Sequence, residues 1–237
     1  MELELKMGNT WVFSDPHYNH RNIVRGVSRW SNLKGTRDFP DKKTHNLAIV
    51  NGINEVVPEN GVLICLGDWS FGGIESIWEF RKQINCKTIH YVMGNHDHHI
   101  WRNTELPNLW YDTEKVLDEQ TQLYFPEATE NLSHTKTDFN AHARDVFTSC
   151  AWYMEANFNG QLVCFHHYGA RVWNKSHKGS WMLHGHSHGN LPDYEINNTK
   201  FKTMDVGLDT HPQFRPYSMY EIKDIMKTRE IIKIDHH

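Results

Sequence analysis

The 237-residue chain predicts a mixed α/β domain with a largely parallel sheet. Continuous apolar runs of strand length, such as Val62-Leu63-Ile64-Cys65-Leu66, read as strands buried on both faces. Segments of helical spacing alternate with them, giving strand, helix, strand, helix, strand from Thr10 to Met93. Several strands run straight into a turn bearing Asp, Asn or His, where an α/β sheet builds its sites.

Taken in order, Leu3–Lys6 and Thr10–Ser14 read as two strands around a Gly8-Asn9 turn. Residues 25–43 are polar, punctuated by Gly26, Gly35 and Pro40, and read as a loop. Leu47, Val50, Ile53 and Val57 recur at helical spacing, with Thr44 as the expected cap and Pro58 as the stop. After the Val62–Leu66 strand, Ile74, Ile77, Trp78, Arg81 and Ile84 mark a second helix, and Lys87–Met93 a third buried strand. Residues 100–150 are polar, with weak periodicity, and read as an insertion or edge elaboration of one 1–237 domain. Trp152–Phe158 and Gln161–Phe165 flank Asn159-Gly160, a type I′ hairpin signal. Trp181–Leu183, Phe201–Val206 and Ile231–Ile234 read as further strands, and Met219–Lys227 as a short helix.

Composition removes several function classes. A net charge of −4 and a pI near 6.5 give no basic footprint for avid nucleic-acid binding. No apolar run reaches the roughly 20 residues of a membrane span. The N-terminus is acidic and alternating, unlike a signal peptide. Cys65, Cys86, Cys150 and Cys164 lack C-x-x-C spacing and read as reduced thiols of a cytoplasmic protein. The nine tryptophans read as packing residues rather than a nucleotide platform.

Five strand ends carry candidate ligands: Asp15 and His17; Asp68; Asn95; His166 or His167; His186 and His188. On extended chain, His186 and His188 would point the same way and could face one metal together. Seven oxygen and nitrogen donors exceed what a single tetrahedral Zn takes and fit two ions sharing a bridge. Asp68, directly behind Gly67, is the natural bridging carboxylate. Taken singly, Asp15-Pro16 could be only a turn and Asp68 only a helix cap. His98, His99, His177, His184 and His211 read as surface or packing residues.

The ordered set Asp15-x-His17, Gly67-Asp68, Gly94-Asn95-His96-Asp97, His167 and Gly185-His186-x-His188 resembles the calcineurin-like metallophosphoesterase family, in its small bacterial and phage-type branch. The resemblance implies a four-layer α/β/β/α sandwich of the metallo-dependent phosphatase type. It implies one divalent metal (Mn, Fe or Zn) on Asp15, His17, Asp68 and His188, and a second on Asp68, Asn95, His167 and His186. It favours His167 over His166 because a Tyr follows. The activity so implied is hydrolysis of a phosphomonoester or phosphodiester by a dinuclear metal-activated hydroxide, and the acidic balance makes a small phosphoester or nucleotide-type substrate a better expectation than long nucleic acid. His96 would give the leaving group its proton, and Asp97 would orient or charge that imidazole. Arg171, His20, Asn22 and Tyr18 are candidate substrate contacts. The rival reading is a metal-binding interaction module on the same fold, without catalysis.

Overall fold

Two five-stranded sheets carry the chain, here described from a computed structural model over residues 2–102, 143–193, 195–196 and 199–231. The first sheet runs in the order β12-β2-β3-β4-β5, with β2 (Thr10–Phe13), β3 (Val62–Cys65), β4 (Thr88–Val92), β5 (Ser149–Ala151) and β12 (Tyr217–Ser218). Its inner strands are parallel, and only β12 is antiparallel. The second runs β1-β6-β7-β8-β11, with β1 (Glu2–Glu4), β6 (Tyr153–Phe158), β7 (Gln161–His166), β8 (Trp181–His184) and β11 (Thr203–Asp205). A two-stranded ribbon, β9 (Glu195–Ile196) and β10 (Thr199–Lys200), completes the strands among the described residues. Four helices accompany them: α1 (Lys42–Val56), α2 (Ile74–Lys82), the single turn α3 (His98–Trp101) and α4 (Met219–Lys227).

Period-two alternation divides the first sheet between two cores. Phe13, Leu63, Cys65, Ile89 and Tyr91 pack with Ile49 and Ile53 of α1 and Ile77 and Phe80 of α2. Val12, Ile64, Leu66 and Val92 point the other way, against Met154, Ala156, Val163, Phe165 and Leu183 of the second sheet. Met219, Ile222 and Met226 of α4 join that inter-sheet core. Each such fully buried side chain stabilises the fold by about 1.5–3 kcal/mol. The outer face of the second sheet buries Cys164 and Met182 under Trp173 and Phe201, with no helix in that cluster.

Several local expectations need correction. Leu3–Lys6 does not form a hairpin with the next strand. β1 lies in the other sheet, parallel to β6, and Met7–Asn9 is a 3-10 turn between the sheets. Leu3, Leu5 and Met7 pack on the inter-sheet core, and that burial outweighs a local turn. α1 is capped by Asp41, whose carboxylate accepts from Thr44 N at 2.8 Å, so Thr44 lies inside the helix. The start and end of the 100–150 segment belong to α3 and β5, which pairs with β4. Ala143–Val146 forms a 3-10 turn ahead of β5, while residues 103–142, and most of the Ile231–Ile234 strand, lie outside the described residues. The 152–165 hairpin forms as read, with Asn159 and Gly160 at φ 53° and 91°.

Candidate metal centre

Asp15 and His17 follow β2, Asp68 follows β3, and Asn95, His96 and Asp97 follow β4. His167 follows β7, and His186 and His188 follow β8. The candidate ligands therefore gather where parallel strands of both sheets end. Hydrogen bonds tie the two rims together, Ser14 N donating to Val206 O and Leu208 N to Ser14 O, while Ser14 Oγ donates to Leu66 O within the first sheet's rim.

The ligand atoms fall into two groups that could each hold a metal ion: Asp15, His17 and His188, and Asp68, His167 and His186. Between them stands one oxygen. Asp68 Oδ2 lies 3.7 Å from His17 Nε2 and 3.7 Å from His167 Nε2. Its partner Oδ1 is already engaged, accepting from His96 N at 3.0 Å. Asp68 thus presents a single oxygen to both groups, rather than one to each. Asn95 Oδ1 lies 2.9 Å from His167 Nε2, on the second group's side.

The expected common orientation of His186 and His188 is overturned. Strand β8 ends at His184, and both histidines adopt left-handed backbone, φ 69° and 49°. The turn therefore sends His188 to the first group and His186 to the second. Left-handed backbone recurs across the site. Asp15, His17, Asp68, His186 and His188 are five of the nine non-glycine residues with positive φ among the described residues. Each costs on the order of 1 kcal/mol or more and persists only where its surroundings enforce it. Two glycines make room. A Cβ on Gly67 would come within 2.6 Å of His167 Nδ1, and one on Gly185 would collide with the side chains of Ser14 and Asp15.

The donor chemistry fits cations. Asp15 Oδ1 is buried, lacks any hydrogen-bond partner and lies 3.9 Å from His17 Nε2. Burial lifts the Asp15 carboxyl to about 6. Burial, then Asp97 and Asp15, lifts Asp68 to about 8. Burial holds His17 well below the ordinary imidazole value and His167 down at about 4, so both rings are neutral. His167 Nδ1–H donates to Leu66 O at 2.6 Å, and His188 Nδ1–H to Asp209 Oδ2 at 2.6 Å. The Leu66 acceptor fixes the His167 tautomer and leaves its Nε2 lone pair facing inward. Burial works to lower His188, but the Asp209 bond and the Asp15 charge raise it, so a cation there would displace its Nε2 proton. The Nε2 atoms of His17 and His188 are 3.1 Å apart, close to the spacing of imidazoles sharing one ion at about 2.1 Å.

The other site residues sort as follows. His167 is buried in the cluster, while His166 faces away and donates toward Tyr168 O. His96 is exposed, its ring 5.9 Å from that of His17. Asp97 makes no hydrogen bond to the His96 ring, so it does not orient that imidazole by contact. Its carboxylate accepts from Asp68 N, Trp69 N, Gly94 N and Tyr91 Oη, clamping the loops after β3 and β4 together. Burial lowers the His96 value while the Asp97 charge opposes that. His20 stands beside His17, ring centroids 5.4 Å apart. Asn22 accepts from Arg29 N and braces its own loop. Tyr18 is buried against Phe80 and bonded to Glu79 and Gln83, away from any substrate face. Arg171 lines a 410 Å³ cavity with Gly169, His184, Leu191 and Asp193, and none of the six clustered residues lines it.

Three functional candidates, Arg37, Asp205 and Asp209, escaped the sequence reading. Buried Arg37 grips Asp209 through Nε (2.8 Å) and a second nitrogen (2.7 Å), and donates to the carbonyls of Asp15 and Pro16. Burial works to raise the Asp209 carboxyl, but Arg37 and the His188 bond hold it far below the ordinary range. Asp205 accepts from Ser187 Oγ and Gly189 N and holds the histidine turn. Asp209 closes the Gly207-Leu208-Asp209 strand end, the same sequence signal that marked the ligands.

No family model matches the chain. The uncharacterized protein MJ1445 of Methanocaldococcus jannaschii is 20% identical over 232 residues, 97% of each chain. The crystal structure of AQ665, a protein of unknown function from Aquifex aeolicus, is similar at TM-score 0.54 and 16% identity, covering 91% of this chain and 98% of that one. That likeness speaks to the fold. Among the described residues, no helix is long and apolar enough to cross a membrane, and the four cysteines are free.

Proposed function

We propose that this chain is a dinuclear metal-dependent phosphoesterase of calcineurin-like type. The observation that carries the reading is Asp68 Oδ2, placed equally between His17 and His167, with Asp15 and His188 on one side and Asn95 and His186 on the other. The face-to-face sheets, with α1 and α2 on one outer face, support a sandwich of the metallophosphatase kind.

Asp15, His17, Asp68 and His188 would hold one ion, and Asp68, Asn95, His167 and His186 the other. Two divalent cations, when bound, supply an activated water, hold phosphate oxygens and offset the charge of in-line displacement. His96, exposed at the rim, donates a proton to the departing oxygen. Asp97 favours the charged imidazole through its field and fixes the Asp68 loop by its hydrogen bonds.

The test uses metal-stripped protein reloaded with manganese, assayed on p-nitrophenyl phosphate and its bis-ester. Wild type hydrolyses at least one of them, and Asp68→Asn loses both metal and turnover. His96→Ala keeps its metals and loses about 10²–10⁴-fold, most on poor leaving groups. Equal loss on all leaving groups removes the proton-donor role. Metal-loaded wild type without any hydrolysis refutes the enzyme and leaves a metal-binding module.

A further inference from the structure

We propose that the leaving group of the substrate carries a flat aromatic ring, seated on a wall made by Phe71, His20 and Trp30; this rests on the phosphoesterase reading. His96 is the proton donor to the departing oxygen, so the body of the leaving group extends beyond it. There it meets Phe71, whose ring centroid is 4.9 Å from that of His96. His20 stacks on Phe71 at 3.8 Å and 11°. Trp30 stands edge-on to His20 at 5.9 Å and 78°.

None of these rings belongs to the apolar cores. Trp30 keeps 44% of its surface exposed. Large apolar rings left out of a core and collected at the rim of a polar site are unusual and call for a ligand. The wall is braced from behind. Phe71 N donates to Tyr18 O, Arg29 N to Asn22 Oδ1, and Trp30 N to Ser28 Oγ. The wall thus sets three rings side by side next to His96. Such a surface suits a nucleobase or aryl ring and offers a polyol little.

Two aromatic sources share this chemistry, a nucleoside and a simple aryl-alkyl alcohol. The experiment compares adenosine 5′-monophosphate, 2-phenylethyl phosphate and glycerol 3-phosphate, each also as its methyl diester. All leave as alkoxides, so intrinsic reactivity is matched. We expect kcat/KM for an aromatic ester to exceed that for the glycerol ester by about tenfold, mainly through KM. The ratio should fall to near one in Trp30→Ala, and part of the way in Phe71→Leu. Preference for both aromatic esters means an aryl ring suffices; preference for the nucleotide alone means a nucleobase subsite.

An activity-free arm titrates metal-free protein with adenosine, 2-phenylethanol and glycerol and follows the Trp30 indole N–H by NMR, assigned from Trp30→Phe. A shift with an aromatic alcohol but not glycerol upholds the wall even if no ester is cleaved, in which case only the phosphoesterase reading fails. Lack of any shift, or a kcat/KM ratio that Trp30→Ala leaves intact, overturns it.

Discussion

Replacing Asp209 by Asn tests how the first ligand group is held. In the native chain the Asp209 carboxylate accepts from both Arg37 and His188. An amide of the same shape has one acceptor oxygen and one donor nitrogen. If the oxygen takes the Oδ1 place, on Arg37 Nε, the nitrogen takes the Oδ2 place and faces both the second Arg37 nitrogen and His188 Nδ1, donors in contact. The strain is relieved when the imidazole moves its proton to Nε2, which blocks the atom that faces His17 and Asp15. Loss of such an outer partner typically lowers metal affinity 10–100-fold, or about 1.4–2.8 kcal/mol. Arg37 is 5% exposed and loses the neutralising charge, so the metal-free fold also weakens, by up to about 3–5 kcal/mol. Calorimetric titration of metal-stripped protein reads the affinity, urea unfolding reads the fold, and imidazole ¹⁵N shifts read the tautomer. The second group, without contact to Asp209, should keep its affinity. A variant that binds two ions like wild type, with His188 Nε2 still unprotonated, would refute the reasoning.

Further expectations follow from the same geometry. Gly185→Ala drives a Cβ into Ser14 and Asp15; it should cost about 1–3 kcal/mol and reduce metal stoichiometry, read by unfolding and elemental analysis. Asp97→Ala orphans three buried donors, Asp68 N, Gly94 N and Tyr91 Oη, while Trp69 N keeps Tyr91 Oη; it should cost more than about 3 kcal/mol, against a smaller loss in Asp97→Asn, and equal losses count against the clamp. For pH, the raised carboxyls make the metal-free fold most stable while protonated, and this stability is lost as pH rises through about 6 for Asp15 and about 8 for Asp68. The depressed histidines act oppositely, but only below their unfolded value of 6.5. Between pH 6.5 and 8 Asp68 accounts for about 2 kcal/mol of stability lost by stripped protein, and His188, raised by Asp209 and Asp15 against the effect of burial, adds to the loss in the same direction; metal recovers both. Stripped protein that gains stability over that interval contradicts it.

Much of this architecture was legible because burial writes itself into the residues. Val62–Leu66 alternates between two cores, and a run apolar on both faces is the trace of that. The strand-end polar residues were legible for the converse reason, since Asp and His interrupt apolar runs only where something satisfies them. Long-range choices were not. Nothing near Leu3 states that its partner is Ala156. Arg37 and Asp209 stand 172 positions apart, and charge alone does not say whom it meets. The His186-x-His188 spacing misled because period two holds only for extended backbone, and the turn is left-handed at both residues.

The unfavourable features of the cluster share one sign. Ordinary ion pairs elsewhere in the chain run the other way: burial works to raise Glu221, yet Arg215 and Ser218 bring it to about 2. Buried Arg37 reaches the backbone carbonyl of Asp15 and makes no bond to the Asp15 carboxylate. Arg37 binds Asp209 and backbone carbonyls, while the carboxylates face neutral imidazoles. A network built only for stability would pair these charges. Raised carboxyls, the inward lone pair of His167 and an orphaned Asp15 oxygen are all relieved by the same addition, positive charge between them, and the left-handed backbone at five of these residues holds them in place for it. The clamps of Asp97, Asp205 and Arg37 keep the loops from relaxing in its absence, so the free energy withheld from folding is available to binding.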